Sequence, residues 1–211
     1  MRLYLFFGPP GSGKGTQAKL ITQEFENVFY LSTGDILRKH IKEQTDIGKK
    51  ANEYISQGLL VPSALINQIV INELNKEKER DFILDGYPRT VDQLYFLIEN
   101  KVIPFLTIFF DVPLNVLIER ICFRRVCPNC NSIFHLIYQK PQNDEKCDYC
   151  GSKLIQRNDD NEEIVRKRYD VYTKETLPVI EEIRKQGIRI ENIDATKNIE
   201  EIYREVRKFF L

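Results

Sequence analysis

The chain has 211 residues, and its 31 basic residues (Lys and Arg) equal its 31 acidic residues, so the formal net charge at pH 7 is zero. This balance, and the lack of an apolar run near the roughly 20 residues of a membrane helix, exclude bulk attraction to nucleic acid or to a membrane. The length suits one α/β core with insertions. Because the apolar run Met1 to Phe7 is too short for a signal peptide, we expect a cytoplasmic protein. We also expect a monomer.

Short β-branched and aromatic runs alternate along the chain with longer segments that carry apolar residues at helical spacing. This alternation is typical of an α/β protein with a parallel sheet flanked by helices. The short runs lack polar alternation, which predicts strands buried on both faces. In chain order we predict strand Leu3–Phe7, helix Lys14–Phe25, strand Val28–Leu31, helix Ser63–Leu74, strand Phe82–Leu84, helix Val91–Glu99, strand Pro104–Phe110, helix Leu114–Phe123, helix Glu162–Lys185, strand Ile188–Ile193 and helix Ile199–Phe209.

Two stretches interrupt this alternation. Residues 32–61 contain two short, polar helical segments and no strand, and residues 124–161 contain four of the five cysteines and few helix formers. We interpret both stretches as insertions that project from the core. The core then consists of residues 1–31, 62–123 and 162–211.

A glycine-rich segment, GPPGSGKGT, lies between the first strand and the first helix and ends at Thr16. Glycines let the backbone point successive N–H groups at phosphates, and the following helix adds its positive end. A serine or threonine usually follows the lysine of such a loop directly, but here Gly15 intervenes, which indicates the nucleotide-kinase branch and makes Thr16 the predicted hydroxyl near magnesium. The predicted phosphate-binding residues are Gly11, Ser12, Gly13, Lys14, Gly15 and Thr16.

A carboxylate, Asp85, follows the predicted strand Phe82–Leu84. It would lie at the carboxyl edge of a central strand, where ligands bind in open α/β sheets. A carboxylate at that edge can hold the water shell of magnesium. Arg89 comes next after a rigid Tyr-Pro turn, so its guanidinium would be presented from a fixed backbone.

Three segments together are similar to adenylate kinase: Gly8–Thr16, Leu31–Arg38 (LSTGDILR), and Asp85–Thr90 with Gln93. The similarity extends over essentially the whole chain and includes the long-lid form, because Arg124-Arg125 enter the second insertion and QRNDD (residues 156–160) leaves it. The resemblance implies a phosphate-loop nucleotide kinase with a five-stranded parallel sheet, an AMP-binding insertion (32–61) and a zinc-binding lid (124–161). It also implies the magnesium-dependent reaction ATP + AMP = 2 ADP.

The resemblance further implies roles for individual residues. The AMP site would be lined by Thr33, Arg38, Leu59, Leu60, Val61, Gly86, Tyr87, Pro88, Arg89 and Gln93, with Gln93 contacting the adenine edge. Arg157 and Arg168 would join them when the lid shuts, and ATP would contact Arg120, Arg124, Ile133, Phe134 and Lys197. The implied catalytic set is Lys14, Arg38, Arg89, Arg124, Arg157 and Arg168, which suits phosphoryl transfer because fixed cations stabilise the charge on the moving group.

Four cysteines form two Cys-x-x-Cys pairs, and sixteen residues separate them. This spacing lets the thiolates of Cys127, Cys130, Cys147 and Cys150 surround one tetrahedral ion, and a closed four-sulfur shell predicts a structural metal. Asn131 and Gly151 follow the second cysteine of each pair, where a left-handed backbone is expected. Zinc is the predicted ion, and the alternatives are iron in a rubredoxin-like site or a pair of disulfides. The fifth cysteine, Cys122, is predicted to be a buried thiol.

Three other functions are to be weighed against this reading. Another nucleoside monophosphate kinase, of the GTP:AMP or UMP/CMP type, would share most of these motifs, although kinases acting on UMP or CMP typically have short lids. A zinc-ribbon nucleic-acid-binding protein would explain residues 124–161 but would leave the phosphate loop without a role. A phosphate-loop GTPase would need an Asn-Lys-x-Asp segment, which the sequence lacks.

Overall fold

A computed structural model describes residues 1–77, 79–143 and 145–211. In chain order its elements are β1 (Leu3–Phe7), α1 (Lys14–Glu24), β2 (Val28–Ser32), α2 (Thr33–Lys42), α3 (Asp46–Ile55), α4 (Ser63–Lys76), β3 (Asp81–Asp85), α5 (Val91–Glu99), β4 (Leu106–Asp111), α6 (Leu114–Cys122), β5 (Arg124–Val126), β6 (Ile133–His135), α7 (Glu162–Val171), a π-helical turn (Tyr172–Thr176), α8 (Leu177–Lys185), β7 (Ile190–Asp194) and α9 (Ile199–Arg207). Five strands form a parallel sheet in the order β2-β3-β1-β4-β7, which confirms the predicted fold class.

The central strand β1 is buried along its whole length. Its side chains alternate between the two faces of the sheet, as they must in an extended chain. Leu3, Leu5 and Phe7 join an apolar cluster with α4, α5 and α8, whereas Tyr4 and Phe6 join a second cluster with α1 and α9. The core therefore lies on both faces of the sheet, as the uninterrupted apolar runs predict.

The parallel arrangement brings the carboxyl ends of all five strands to one edge. There β1 leads into the glycine-rich loop, β2 leads directly into α2, and β3 ends at Asp85. Because β1 pairs with β3 on one side and β4 on the other, the loop and Asp85 are neighbours. This edge is where ligands bind in open α/β sheets.

Both predicted insertions extend from this part of the fold. Residues 32–61 contain α2 and α3, as predicted, and side chains cap both helices: the Ser32 hydroxyl accepts from Asp35 N (3.2 Å) and the Thr45 hydroxyl from Gly48 N (3.1 Å). Residues 124–161 contain the antiparallel pair β5 and β6. The sequence predicts no strand there, because three residues are too few to show a period of two.

The prediction of a single α-helix over Glu162–Lys185 is wrong in the middle of this range. The five-residue π-helical turn Tyr172–Thr176 separates α7 from α8. Pro178 lies just beyond this turn and has no N–H to donate to the carbonyl four residues earlier, so the ladder of helical hydrogen bonds is broken there. Within the described ranges, no helix combines the length and apolar character needed to cross a membrane.

Candidate active site

A cleft of about 1180 Å³ opens at the carboxyl edge of the sheet. The core and both insertions contribute to its walls. All the residues that the sequence assigns to ATP, AMP or magnesium line this one cleft. The assigned segments therefore converge, and the role of each residue within the cleft stays a prediction.

The glycine-rich loop wraps around the Lys14 side chain. Gly11 and Gly13 have φ angles of 87° and 91°, which residues with a Cβ rarely adopt. The Lys14 ammonium donates to the carbonyl oxygens of Gly8 (2.8 Å) and Pro9 (2.9 Å) and lies 3.2 Å from the Ser12 hydroxyl. The loop thus holds one positive charge against its own backbone at the start of α1.

Burial in the cleft lowers the pKa of Lys14 from its ordinary value to about 8. The nearby Asp85 carboxylate opposes this shift, whereas the guanidinium groups of Arg89, Arg168 and Arg124 increase it. A polyphosphate would favour the ammonium form and raise this pKa, so binding should be accompanied by proton uptake above about pH 8. The affinity for a polyphosphate should then be fully present below pH 8 and should fall as the pH rises through that value.

Calorimetry can test this linkage. Magnesium-free ATP titrated at about pH 8.5 in two buffers of different ionisation enthalpy should show uptake of most of one proton per ATP bound. The Lys14→Ala variant should show almost none, because the titrating group is gone. Equal proton uptake by the two proteins would contradict the assignment of this pKa to Lys14.

Two adjacent carboxylates at the end of the lid hold two of the predicted catalytic arginines. Arg124 donates through Nε to Asp160 (2.8 Å) and through a second nitrogen to the other oxygen of the same carboxylate. Arg168 donates to Asp159 at 2.6 Å. Asp160 is fully buried, and Arg124 is its ion-pair partner. Neither aspartate is among the predicted site residues, although two carboxylates beside Arg157 in the sequence are a signal of charge compensation.

Arg157 differs from these two arginines. No ion pair joins it to a carboxylate among the described residues, whereas Arg38 pairs with Asp35 at 2.6 Å. Burial lowers the pKa of Arg157, and the charges of Arg38 and Arg124 lower it further. Cations that are buried and close together indicate a site built to receive a highly charged anion.

The wall between β3 and α5 holds Gln93 and Gly86 to Arg89, which are among the residues assigned to AMP. The Gln93 side chain is almost fully buried, accepts from Arg89 N (2.7 Å) and donates to the Ser63 hydroxyl (3.1 Å). An amide oxygen accepts two hydrogen bonds and an amide nitrogen donates two, so each end of Gln93 keeps one position for a ligand. The Thr33 hydroxyl donates to the carbonyl oxygen of Gly86 (2.9 Å) and ties α2 to this wall.

The opposite wall, between α6 and the lid, holds residues assigned to ATP. Arg120 donates to the carbonyl oxygen of Ala195 at 2.6 Å. Facing it, the His135 and Tyr138 rings of the lid are stacked with centroids 4.7 Å apart, and the Tyr138 hydroxyl donates to the Glu119 carboxylate. His135 and Tyr138 line the cleft but are absent from the residues assigned from the sequence, because nothing in their local sequence distinguishes them from other lid residues.

The four cysteines of the lid form one compact group. Their sulfur atoms all lie within 4.8 Å of one another, and three of the separations are 3.3, 3.5 and 3.6 Å. Four thiolates about 2.3 Å from one ion in a tetrahedron would be about 3.8 Å apart, so the donor set fits a tetrahedral metal. All five cysteines are free thiols in the structure, which does not support the disulfide alternative. Cys122 lies outside the group and is half-buried, not fully buried as predicted.

The two cysteine pairs have the same local structure. In the first, Asn131 N donates to the carbonyl oxygen of Cys127 (3.0 Å), and in the second, Gly151 N donates to that of Cys147 (2.8 Å). Asn131 and Gly151 have φ angles of 58° and 71°, which confirms the predicted left-handed backbone.

The first cysteine turn also contacts both other parts of the molecule. The Lys19 ammonium, on α1, donates to the carbonyl oxygen of Asn131 (2.8 Å), and the Lys42 ammonium, at the end of α2, donates to that of Pro128 (3.2 Å). Residues 124–161 therefore contact both the core and residues 32–61.

Comparison with known proteins finds relatives that match nearly the whole length of the chain. A sequence model of the family described as Adenylate kinase matches residues 6–188. The chain is 49% identical to an adenylate kinase of Petrotoga mobilis over 98% of its own length and 95% of that protein. It is 45% identical to one of Archaeoglobus fulgidus (96% and 94%) and 46% identical to one of Thermotoga maritima (99% and 96%).

Proposed function

Because the chain belongs to the adenylate kinase family, we propose that its cleft binds ATP on the glycine-rich loop and AMP between residues 32–61 and α5. The protein is a phosphotransferase that catalyses ATP + AMP = 2 ADP. The observation that carries the assignment of the two nucleotides is the cleft itself. The residues predicted to bind the two nucleotides line it together with the cations Lys14, Arg89 and Arg168.

Phosphoryl transfer needs the protein to position the two nucleotides, and does not need a protein group that forms a bond to the phosphoryl group. The acceptor is an ionised phosphate oxygen, so no general base is required. The moving phosphoryl group spreads negative charge over its oxygens, which Lys14, Arg124 and Arg168 can stabilise from fixed positions. Closure of the lid excludes the water that would otherwise accept the phosphoryl group. We propose residues 32–61 as the AMP-binding unit and residues 124–161 as the lid.

Magnesium is proposed as the ion that accompanies ATP. The Thr16 hydroxyl and the Asp85 carboxylate, which line the same cleft, are the oxygen donors that Mg²⁺ prefers, and they would hold it mainly through water. The ion would neutralise part of the charge on the polyphosphate. The residues present therefore fit a magnesium ion, and Lys14 would be one of the direct protein contacts to the phosphates.

Zinc is proposed for the cysteine group because tetrahedral sulfur ligation suits it. A closed shell of four thiolates has no position for a substrate, so its role would be structural. Paired cysteines that bind a metal are characteristic of a reducing compartment, and we propose a cytoplasmic location on that ground. The predicted site residues of both nucleotides come from one chain, which supports a monomeric enzyme.

A coupled assay tests the nucleotide assignment. We expect rapid turnover with ATP and AMP, and at most about a hundredth of that rate when CMP or UMP replaces AMP, because a polar group shaped for one base is left without its partner by another. A bisubstrate dinucleoside polyphosphate should inhibit in competition with both substrates. Preference for CMP or UMP over AMP would overturn the AMP assignment, and preference for GTP over ATP would overturn the donor assignment.

The Gln93→Leu variant should raise the KM for AMP by about ten-fold and leave the KM for ATP unchanged. Leucine keeps the volume but removes the amide that is predicted to contact the base, a loss of about 1.4 kcal/mol for one hydrogen bond. Initial rates with AMP varied at saturating ATP measure this effect. Gln68→Leu is the matched control, because Gln68 is an exposed glutamine on α4 whose amide contacts Asn72. An unchanged KM for AMP in Gln93→Leu would show that this amide does not contact the base.

A further inference from the structure

The Asp85 carboxylate is held by a side chain from the neighbouring strand. Tyr30, on β2, places its hydroxyl oxygen 2.9 Å from Oδ2 of Asp85. An ionised carboxylate only accepts hydrogen bonds, so the tyrosine must be the donor. Among the described residues, no other side chain donates to this carboxylate. The orientation of Asp85 in the cleft therefore depends on one hydroxyl group.

The same hydroxyl explains why glycine follows Lys14. A Cβ on Gly15 would lie 2.9 Å from the Tyr30 hydroxyl oxygen and 3.7 Å from Oδ2 of Asp85. The first of these separations is shorter than real Cβ contacts, and the oxygen is the end of a rigid ring, so it could not move aside without the whole side chain turning. The space that a side chain at position 15 would fill is therefore occupied by the pair of Tyr30 and Asp85.

We propose that Tyr30 is a positioning residue for magnesium, which aims the free oxygen of Asp85 at the water shell of the ion. The inference rests on the proposed role of Asp85. The hydroxyl uses Oδ2 and leaves Oδ1 to accept from water, and Gly15 lets the tyrosine reach this point beside Thr16, the other predicted oxygen donor. Tyr30 touches neither nucleotide in this scheme and acts through Asp85.

The Tyr30→Phe variant tests the proposal, since it keeps the ring and removes the hydroxyl. The magnesium concentration at half-maximal rate should rise by about ten-fold, which corresponds to the loss of one hydrogen bond to a charged group. The dissociation constant of Mn²⁺ in the complex of protein and ATP, measured by electron paramagnetic resonance, should rise by a similar factor. The affinity for ATP without metal and the KM for AMP should not change.

Two further variants, a matched control and a change of Asp85 itself, are needed to interpret these results. Tyr95→Phe is the matched control, because the Tyr95 hydroxyl also donates to a carboxylate, that of Glu182, at 2.6 Å on the protein surface. It should leave the metal dependence unchanged. Asp85→Asn should shift both metal readouts at least as far as Tyr30→Phe. A shift in Asp85→Asn with none in Tyr30→Phe overturns the role of Tyr30, whereas no shift in either overturns the magnesium role of Asp85 proposed above.

The packing of the Tyr30 hydroxyl against Gly15 can be tested separately, without nucleotide or metal. Gly15→Ala should lower the melting temperature by about 5 °C because the new methyl group overlaps the hydroxyl. In the Tyr30→Phe background the same change should cost clearly less, since the overlapping oxygen is absent. An equal loss in the two backgrounds would show that the hydroxyl does not occupy this position, and would overturn the inference.

Discussion

The Lys14→Ala variant should lose about a thousand-fold in kcat while its fold persists. The ammonium lies inside the loop, 2.8 Å from the Gly8 carbonyl oxygen, where it can follow charge onto the transferred phosphoryl group. Removing a fixed group that stabilises charge in the transition state typically costs about 10²- to 10³-fold in kcat. Lys14 is a full charge in a buried cleft, so we expect the upper end of this range. Steady-state rates with both substrates saturating measure the effect.

Lys185→Ala is the matched control for this variant, because Lys185 is an exposed lysine on α8 whose ammonium pairs with Glu182. It should keep the wild-type rate. Circular dichroism spectra and melting curves of both variants show whether the fold persists. A Lys14→Ala protein with a kcat near that of the wild type would refute the assignment of the loop.

Removal of the metal from the cysteine group should loosen the lid and lower the melting temperature by about 10 °C. Loss of a structural metal costs about 4 kcal/mol, and 1 kcal/mol corresponds to about 2–4 °C in a protein of this size. The apolar cluster of the lid is small: it consists of Cys127, Phe134, Cys147 and Leu154, two of which are themselves predicted ligands. Hydrogen exchange before and after chelation should show faster exchange in residues 124–161 and little change in β1.

Cysteine variants separate metal loss from other effects of a chelator. Cys147→Ser should reproduce the destabilisation without chelation, whereas Cys122→Ser, which removes the half-buried thiol outside the group, should leave the melting temperature nearly unchanged. Metal analysis of the purified wild-type protein should find one zinc per chain. A chain without metal whose lid exchanges as slowly as the rest of the molecule would contradict the proposed site.

The sheet and the phosphate loop could be predicted because their signals are local. Each residue of Leu3–Phe7 is aliphatic or aromatic, and a buried parallel strand requires that pattern whatever surrounds it. The glycines of the loop and the two cysteine pairs are likewise fixed by backbone geometry and ligand spacing within a few residues. Periodicity also finds the helices, but it cannot show that the helix from Glu162 contains a π-helical turn, because the apolar spacing on both sides of that turn remains helical.

Contacts between distant segments could not be predicted in this way. Nothing near Tyr30 in the sequence shows that its hydroxyl reaches Asp85, fifty-five residues later, since the contact depends on β2 and β3 being neighbours. The pairing of Arg124 with Asp160 spans the whole lid and depends on where the lid begins and ends in space. The resemblance to a family names the arginines of the site, but which carboxylate pairs with which arginine is visible only in three dimensions.

The paired aspartates at the end of the lid have a consequence for turnover. Arg124 and Arg168 already have counter-ions in Asp160 and Asp159. If these arginines bind the substrate phosphates as proposed, an arriving phosphate would exchange with or share an existing partner. Each arginine would then gain less from the substrate than an isolated guanidinium, and would have an alternative partner to return to when the product leaves. In an enzyme that runs in both directions, these internal anions would help to release either pair of nucleotides.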